Sequence, residues 1–315
     1  MTEELLADAR ERRRREREAR RAGATLPPDP PAGGSSKPPK PRKRARRSWG
    51  HRLAAGGVLL AVVGVAVATA ALAYRHFHHS APPPPPPAPP TVTVTIPEGY
   101  TRTQTAQLAR EDGLPGSYMA ASRGHEGFLF PDTFELMRHA RVADLVQLQL
   151  EDFKRRIEGV NMSYARSKNL TVFDVVTIAS MIEHEAAREQ DRKLVAAVIY
   201  NRLREGMPLG IDATTRFATG NYTRPLTESE LAIDSPYNTR THAGLPPGPI
   251  DSPGLASIEA AAHPAKVAYL YYVAKPGTCN GLAFAKTEAE FEEDVAAYNA
   301  AREAAGGRSP NACGG

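Results

Sequence analysis

Cysteine is almost missing from this chain: only Cys279 and Cys313 occur among its 315 residues. A disulfide framework of the kind that staples small secreted folds is therefore excluded, and the spacing of the pair makes no zinc site. One bridge tying down the C-terminal tail and two unpaired thiols are both open readings. A glycine-rich phosphate loop and a Gly-x-Ser-x-Gly elbow are also lacking, so nucleotide-dependent and serine-nucleophile chemistry have no carrier. No metal and no cofactor is expected, and no internal repeat is present.

Positive charge is scarce where a fold is expected. Residues 1–52 hold 16 Lys/Arg against 7 Asp/Glu, leaving 24 against 28 in residues 53–315, so the net charge of +5 belongs to a tail written "ERRRREREARR" and "KPRKRARR". A nucleic-acid-binding protein usually carries its basic surface on the folded part; the mildly acidic remainder argues against nucleic acid as a partner. The tail reads either as an orientation signal drawn to anionic headgroups or as a docking segment for a cytoplasmic partner or nucleic acid.

What is present next is one long apolar run, "LAAGGVLLAVVGVAVATAALAY" (53–74), uncharged throughout. About 20 such residues span a bilayer, and cleavable signal peptides have shorter apolar cores. The expectation is one uncleaved transmembrane anchor at 50–76. With arginines on its N-terminal side, residues 1–49 would face the cytoplasm and everything beyond would lie outside the plasma membrane. "APPPPPPAPP" (81–90) then predicts a stiff polyproline spacer within a linker over 77–91.

Past the linker, Val92, Val94 and Ile96 alternate as in a strand, "PEG" turns, and "TRTQTAQLAREDG" predicts a helix ending at glycine. "EGFLFPDTFEL" reads as a buried loop or short strand. "RVADLVQLQLEDFKRRIEGV" is helical, with Leu145, Leu148 and Phe153 on its apolar side. "DRKLVAAVIYNRLREG" predicts an amphipathic helix with Leu194, Val195, Val198, Ile199 and Leu203 inward, stopped at Gly206. Beyond it the sequence predicts loops, proline turns at "LPPGPI" and one strand, "AYLYYVA". The fold class expected is α+β.

The most informative stretch is "TVFDVVTIASMIEHEA" (171–186). Thr171 and Asp174 stand in capping-box spacing, and Val172–Ile182 is apolar nearly all round, which marks a buried helix. Glu183 follows Val176, Ala179 and Ser180 on that helix, so its carboxyl group emerges at the edge of the core. Partial desolvation there favours the protonated form, as a general acid requires. Glu185 is two residues on and faces another way, so only one of the two carboxyl groups is expected to be catalytic. His184 between them reads as exposed or supporting, and His242 and His263 as structural or substrate-facing.

The ordered blocks "EGFLFPDTF", "IASMIEHEA", "VAAVIYNRLREGMPL", "DATTRFATG", "SPYNTRTHAGLPPGPIDSPG", "IEAAAHPAKVAYLYYVA" and "FAKT" closely resemble the endolytic murein transglycosylases of the MltG (YceG-like) family, over about residues 92–300. The resemblance implies a single membrane anchor, a LysM-like subdomain at 92–122, a catalytic domain at 123–301 and a flexible tail at 302–315. It also implies cleavage of peptidoglycan glycan strands between N-acetylmuramic acid and N-acetylglucosamine, leaving 1,6-anhydromuramyl ends, with peptidoglycan synthases as candidate companions. The first glutamate of the family's "E-x-E" block corresponds to Glu183, the expected acid/base. Glu126, Glu185, Asn201, Asp212, Asn238, Leu245, Pro246 and Pro247 are expected to support it or contact sugar. The chain departs from the family at "LGIDATT", at Arg240, and at Leu282 and Phe291. Two other readings stay open: a lysozyme-like hydrolase, and a non-catalytic wall-binding scaffold.

Overall fold

The computed structural model describes residues 50–78, 90–311 and 313, with side chains omitted for 50–60 and 76–78. The basic tail (1–49) and most of the proline spacer lie outside the described residues. The chain divides into two units, residues 1–85 and 86–315. In the first, α1 (Gly50–His78) covers the stretch expected to be the anchor. Its side chains are described only over 61–75, where they are exposed. Among the described residues no helix is long and apolar enough to cross a membrane.

The second unit is mixed α+β. Strand β1 (Thr91–Thr95) buries alternate residues, as its sequence demands. After a turn at 97–100 comes α2 (Arg102–Glu111), opened by a Thr101/Gln104 capping box, and then the short α3 (Tyr118–Ala121). Strand β2 (Thr133–Met137) returns antiparallel to β1. Val94, Ile96, Leu114, Leu129, Phe134, Leu136 and Leu145 share one apolar cluster, which runs on to Val146 in α4 (Val142–Glu158). Inside it the Tyr118 hydroxyl donates to Gln149 Oε1 at 2.6 Å, so the buried phenol is satisfied.

A larger cluster is built on helices. The short α5 (Ser163–Ser167) precedes α6 (Val172–Glu185), whose capping box is the Thr171/Asp174 pair. Residues Val175 through Ile182 of α6 are all buried, so this helix is central. Helix α7 (Glu189–Glu205) ends at Gly206 in the left-handed conformation, φ 67°. The expectation of a one-sided apolar stripe on α7 fails: every residue from Val195 to Ile199 is buried. Both α6 and α10 (Leu255–Ala262) pack on α7, so alanines 196 and 197 close a second face.

Several elements arise beyond Gly206 where loops were expected. "DATTRFAT" forms α8 (Asp212–Thr219), where Thr214 Oγ1 donates to the Ile211 carbonyl at 2.7 Å; α9 (Glu228–Leu231) follows. The "AYLYYVA" strand is trimmed to β3 (Tyr271–Ala274), and "LAFA" supplies β4 (Leu282–Ala285) as its antiparallel partner. Helix α11 (Glu288–Ala304) closes the chain, and a disulfide joins Cys279 in the β3–β4 turn to Cys313.

Candidate active site

The last turn of α6 leaves the core where the loop at 250–254 crosses it. Ser180, fully buried, ties the two together: its hydroxyl donates to the Thr177 carbonyl at 2.9 Å and accepts from the Ile250 amide at 3.1 Å. The loop is thereby fixed so that the Gly254 amide donates to Glu183 Oε2 at 3.0 Å. On the other oxygen, Arg192 of α7 approaches Oε1 to 3.6 Å. The Glu183 side chain is only 8% exposed.

Its neighbours on α6 are held separately. His184 Nε2 meets Asp251 Oδ2 at 2.9 Å, with the aspartate wholly buried and the imidazole 40% exposed. That hydrogen bond raises the pKa of His184, and burial raises Asp251 to about 6. Glu185 accepts from the Tyr272 hydroxyl at 2.9 Å, and burial raises its pKa. The two glutamates thus face different partners, as their positions around the helix require.

A cleft of about 440 Å³ opens beside this turn, lined by Gln104 of α2, His184, Glu185, Asp212, Arg216 and Tyr222 among others. Its wall therefore combines α2, the end of α6 and α8. Asp212 at the mouth pairs with Arg240.

The remaining residues singled out from the sequence lie elsewhere. Glu126 accepts from the Arg102 amide at 2.9 Å at the start of α2, and burial lifts its pKa to about 7. Asn201 donates to the carbonyls of Val267 and Tyr269, fixing the approach to β3. Asn238, fully buried, donates to Leu231 and Ile233 and accepts from Thr215, which organises the loop behind α8. Leu245 packs on the large cluster; Pro246 is buried and Pro247 exposed. His242 lies 3.6 Å from Asp234, and His263 follows α10 near Tyr164.

Sequence reasoning passed over Arg192, Asp251 and Gly254. The last two lie in the quoted "PPGPIDSPG" block, but which of its atoms face Glu183 depends on the Ser180 anchor, which no spacing rule reveals.

A glutamate-bearing buried helix, an overlying proline-glycine loop and a mixed α+β frame define the class. The YceG-like family profile matches residues 72–297, and the chain belongs to that family. A protein of Streptococcus pneumoniae strain R6 named endolytic murein transglycosylase is 32% identical over 246 residues, covering 65% of this chain and 44% of its own length. Its namesake in Bacillus subtilis strain 168 is 37% identical over 179 residues, 56% of this chain and 47% of its own. The chain spans about half the length of the curated relatives it matches. Among solved structures, a YceG-like protein of Listeria monocytogenes aligns with a TM-score of 0.58 at 29% identity, covering 65% of this chain and 76% of that one.

Proposed function

We propose that this chain is an endolytic lytic transglycosylase of peptidoglycan, with Glu183 as its acid/base. One observation carries the reading: the Glu183 carboxyl group, 8% exposed, is held by a backbone amide and an arginine on the helical turn whose next residue, His184, lines the cleft. Glycoside hydrolases normally divide the work between two carboxyl groups, one acid and one nucleophile or base. A muramyl residue carries its own nucleophile, the C6 hydroxyl. Glu183 protonates the glycosidic oxygen as the bond to C1 breaks; the C6 oxygen then bonds C1 and returns its proton to Glu183. The products are a shortened strand and a 1,6-anhydromuramyl end, and no water is consumed. The names of the curated relatives and the order of the sequence blocks support this assignment.

The same proposal includes a membrane anchor within 50–76, with the N-terminus cytoplasmic and the 86–315 unit outside. Exposed Val62, Val63, Val65, Val67 and Leu72 on α1 support it, because such side chains need apolar cover. A LysM-like role for the β1-α2-α3-β2 unit and action on nascent strands near the synthases belong to this reading.

Mass spectrometry of uncrosslinked glycan strands incubated with the purified full-length chain tests it. Anhydromuramyl ends that disappear in Glu183→Gln are the expected result. Reducing ends would establish a hydrolase instead, and a Glu183→Gln variant with unchanged products would remove Glu183 from the chemistry.

A further inference from the structure

The turn at 97–100 reaches from the small cluster onto the loop that holds Glu183. The Gly99 amide donates to the Ser252 carbonyl at 2.9 Å, and the Ser252 amide donates to the Tyr100 carbonyl at 3.0 Å, so turn and loop form a two-bond bridge. Gly99 takes φ +76°, and a Cβ there would lie 3.4 Å from Glu183 Cγ and 3.5 Å from His184 Cε1. The backbone of the turn therefore lies directly against the last turn of α6. The side chain next to it, Glu98, is laid across Gly254: any Cβ at 254 would overlap the Glu98 carboxylate. Gly254 is the residue whose amide holds Glu183.

We propose that Glu98 is a positioning residue for the acid/base, acting through its charge on Glu183; this rests on the transglycosylase reading above. The Arg192 cation sits between two demands. A cation and an amide donor both favour negative charge beside them, whereas protonating a leaving group requires a neutral carboxyl group. Glu98, laid across Gly254, places a second negative charge near the first; partial burial raises its own pKa, the charge of Glu183 raises it further and Arg192 lowers it. The other charged groups that face Glu183 are Asp251 from the overlying loop and His184 on its own helix. Among these, Glu98 alone comes from the turn at 97–100. It is exposed, as a group that exerts a field without filling the core can be. A like charge nearby disfavours ionisation, so Glu98 helps Glu183 keep its proton until substrate arrives.

The test is the titration of Glu183 itself in the full chain, read from its side-chain carboxyl ¹³C resonance and assigned by its loss in Glu183→Gln. In Glu98→Gln the midpoint should fall by about one pH unit at low salt, because one negative charge is removed. Glu98→Asp should retain most of the effect, and raising salt should shrink the difference, since an exposed charge is screened. The alkaline limb of the pH profile of kcat/KM should move with the midpoint while KM stays put. A Glu183 midpoint unchanged in Glu98→Gln, or a fall in rate with no movement of the limb, overturns the proposal. If the midpoint moves yet wild-type chain makes no anhydromuramyl ends, the coupling stands and the transglycosylase reading falls.

Discussion

Glu183 and Glu185 leave the same helical turn two residues apart, yet they live in different surroundings. Glu183 meets a cation and a backbone amide. Glu185 meets one phenol, Tyr272, brought by β3. Glu183 therefore has one neutral donor and one cation, each on a different oxygen. A tyrosine hydroxyl donates to a carboxylate and has itself been pushed well above its ordinary pKa by burial, so the Glu185 pair is stable in one state. The difference fits the proposal above, in which Glu183 carries the proton and Glu185 ties the helix to the hairpin.

The sharpest way to break that contrast is to remove each carboxyl group in turn. Glu183→Gln should lower the rate of anhydromuramyl formation about 10²- to 10⁴-fold, measured with folded protein at saturating glycan. Glu185→Gln should leave that rate within several-fold of wild type; an equal loss in both would erase the distinction. The platform beneath the pair comes next. Ile178 is fully buried in α6, and Ile178→Ala should cost about 2–5 kcal/mol of unfolding free energy in a denaturant titration.

A third carboxyl group sharpens the comparison through pH. The folded-state pKa of Glu126, about 7, stands above its ordinary 4.5 because of burial, so the fold binds this proton more tightly than the unfolded chain. Its contribution to stability is complete below about 4.5 and is lost as pH rises through about 7. Glu126→Gln keeps the acceptor for the Arg102 amide and cannot ionise. It should flatten the slope of stability against pH in that window and stabilise the chain at pH 8, by on the order of 2 kcal/mol after allowing for partial exposure. A steeper slope in the variant would contradict the assignment. The smallest effect belongs to Tyr272→Phe, which strips Glu185 of its donor and should cost about 1 kcal/mol in thermal unfolding with little change in rate.

Much of the helical frame was legible beforehand because its signals are local. The Thr171/Asp174 box, the apolar run to Ile182 and the stop at Gly206 act over a few residues, and the helices begin and end close to where they require. The curated relatives likewise bear the name that the ordered blocks suggested. What escaped was decided by distant partners. "LAFA" has too little alternation to declare itself a strand, and becomes β4 only beside β3. "DATTRFAT" looked like a loop between glycines until the Thr239 hydroxyl accepted the Ile211 amide at its start. Arg192 sits among residues read as a helix surface, and its reach to Glu183 follows from how α6 and α7 cross. Asn201 and Asn238, expected to support Glu183 or contact sugar, satisfy carbonyls of nearby loops, a use that side-chain chemistry alone cannot separate from ligand binding.

The bridge between the 97–100 turn and Ser252 also bears on the order in which the chain matures. Helical turns form locally and early, whereas contacts between segments this far apart in sequence wait until most of the intervening chain is ordered. A partly folded chain can therefore hold Glu183 on a finished helix with nothing yet laid over it. The loop that holds the Glu183 carboxyl group is thus completed last, with the closing of that bridge.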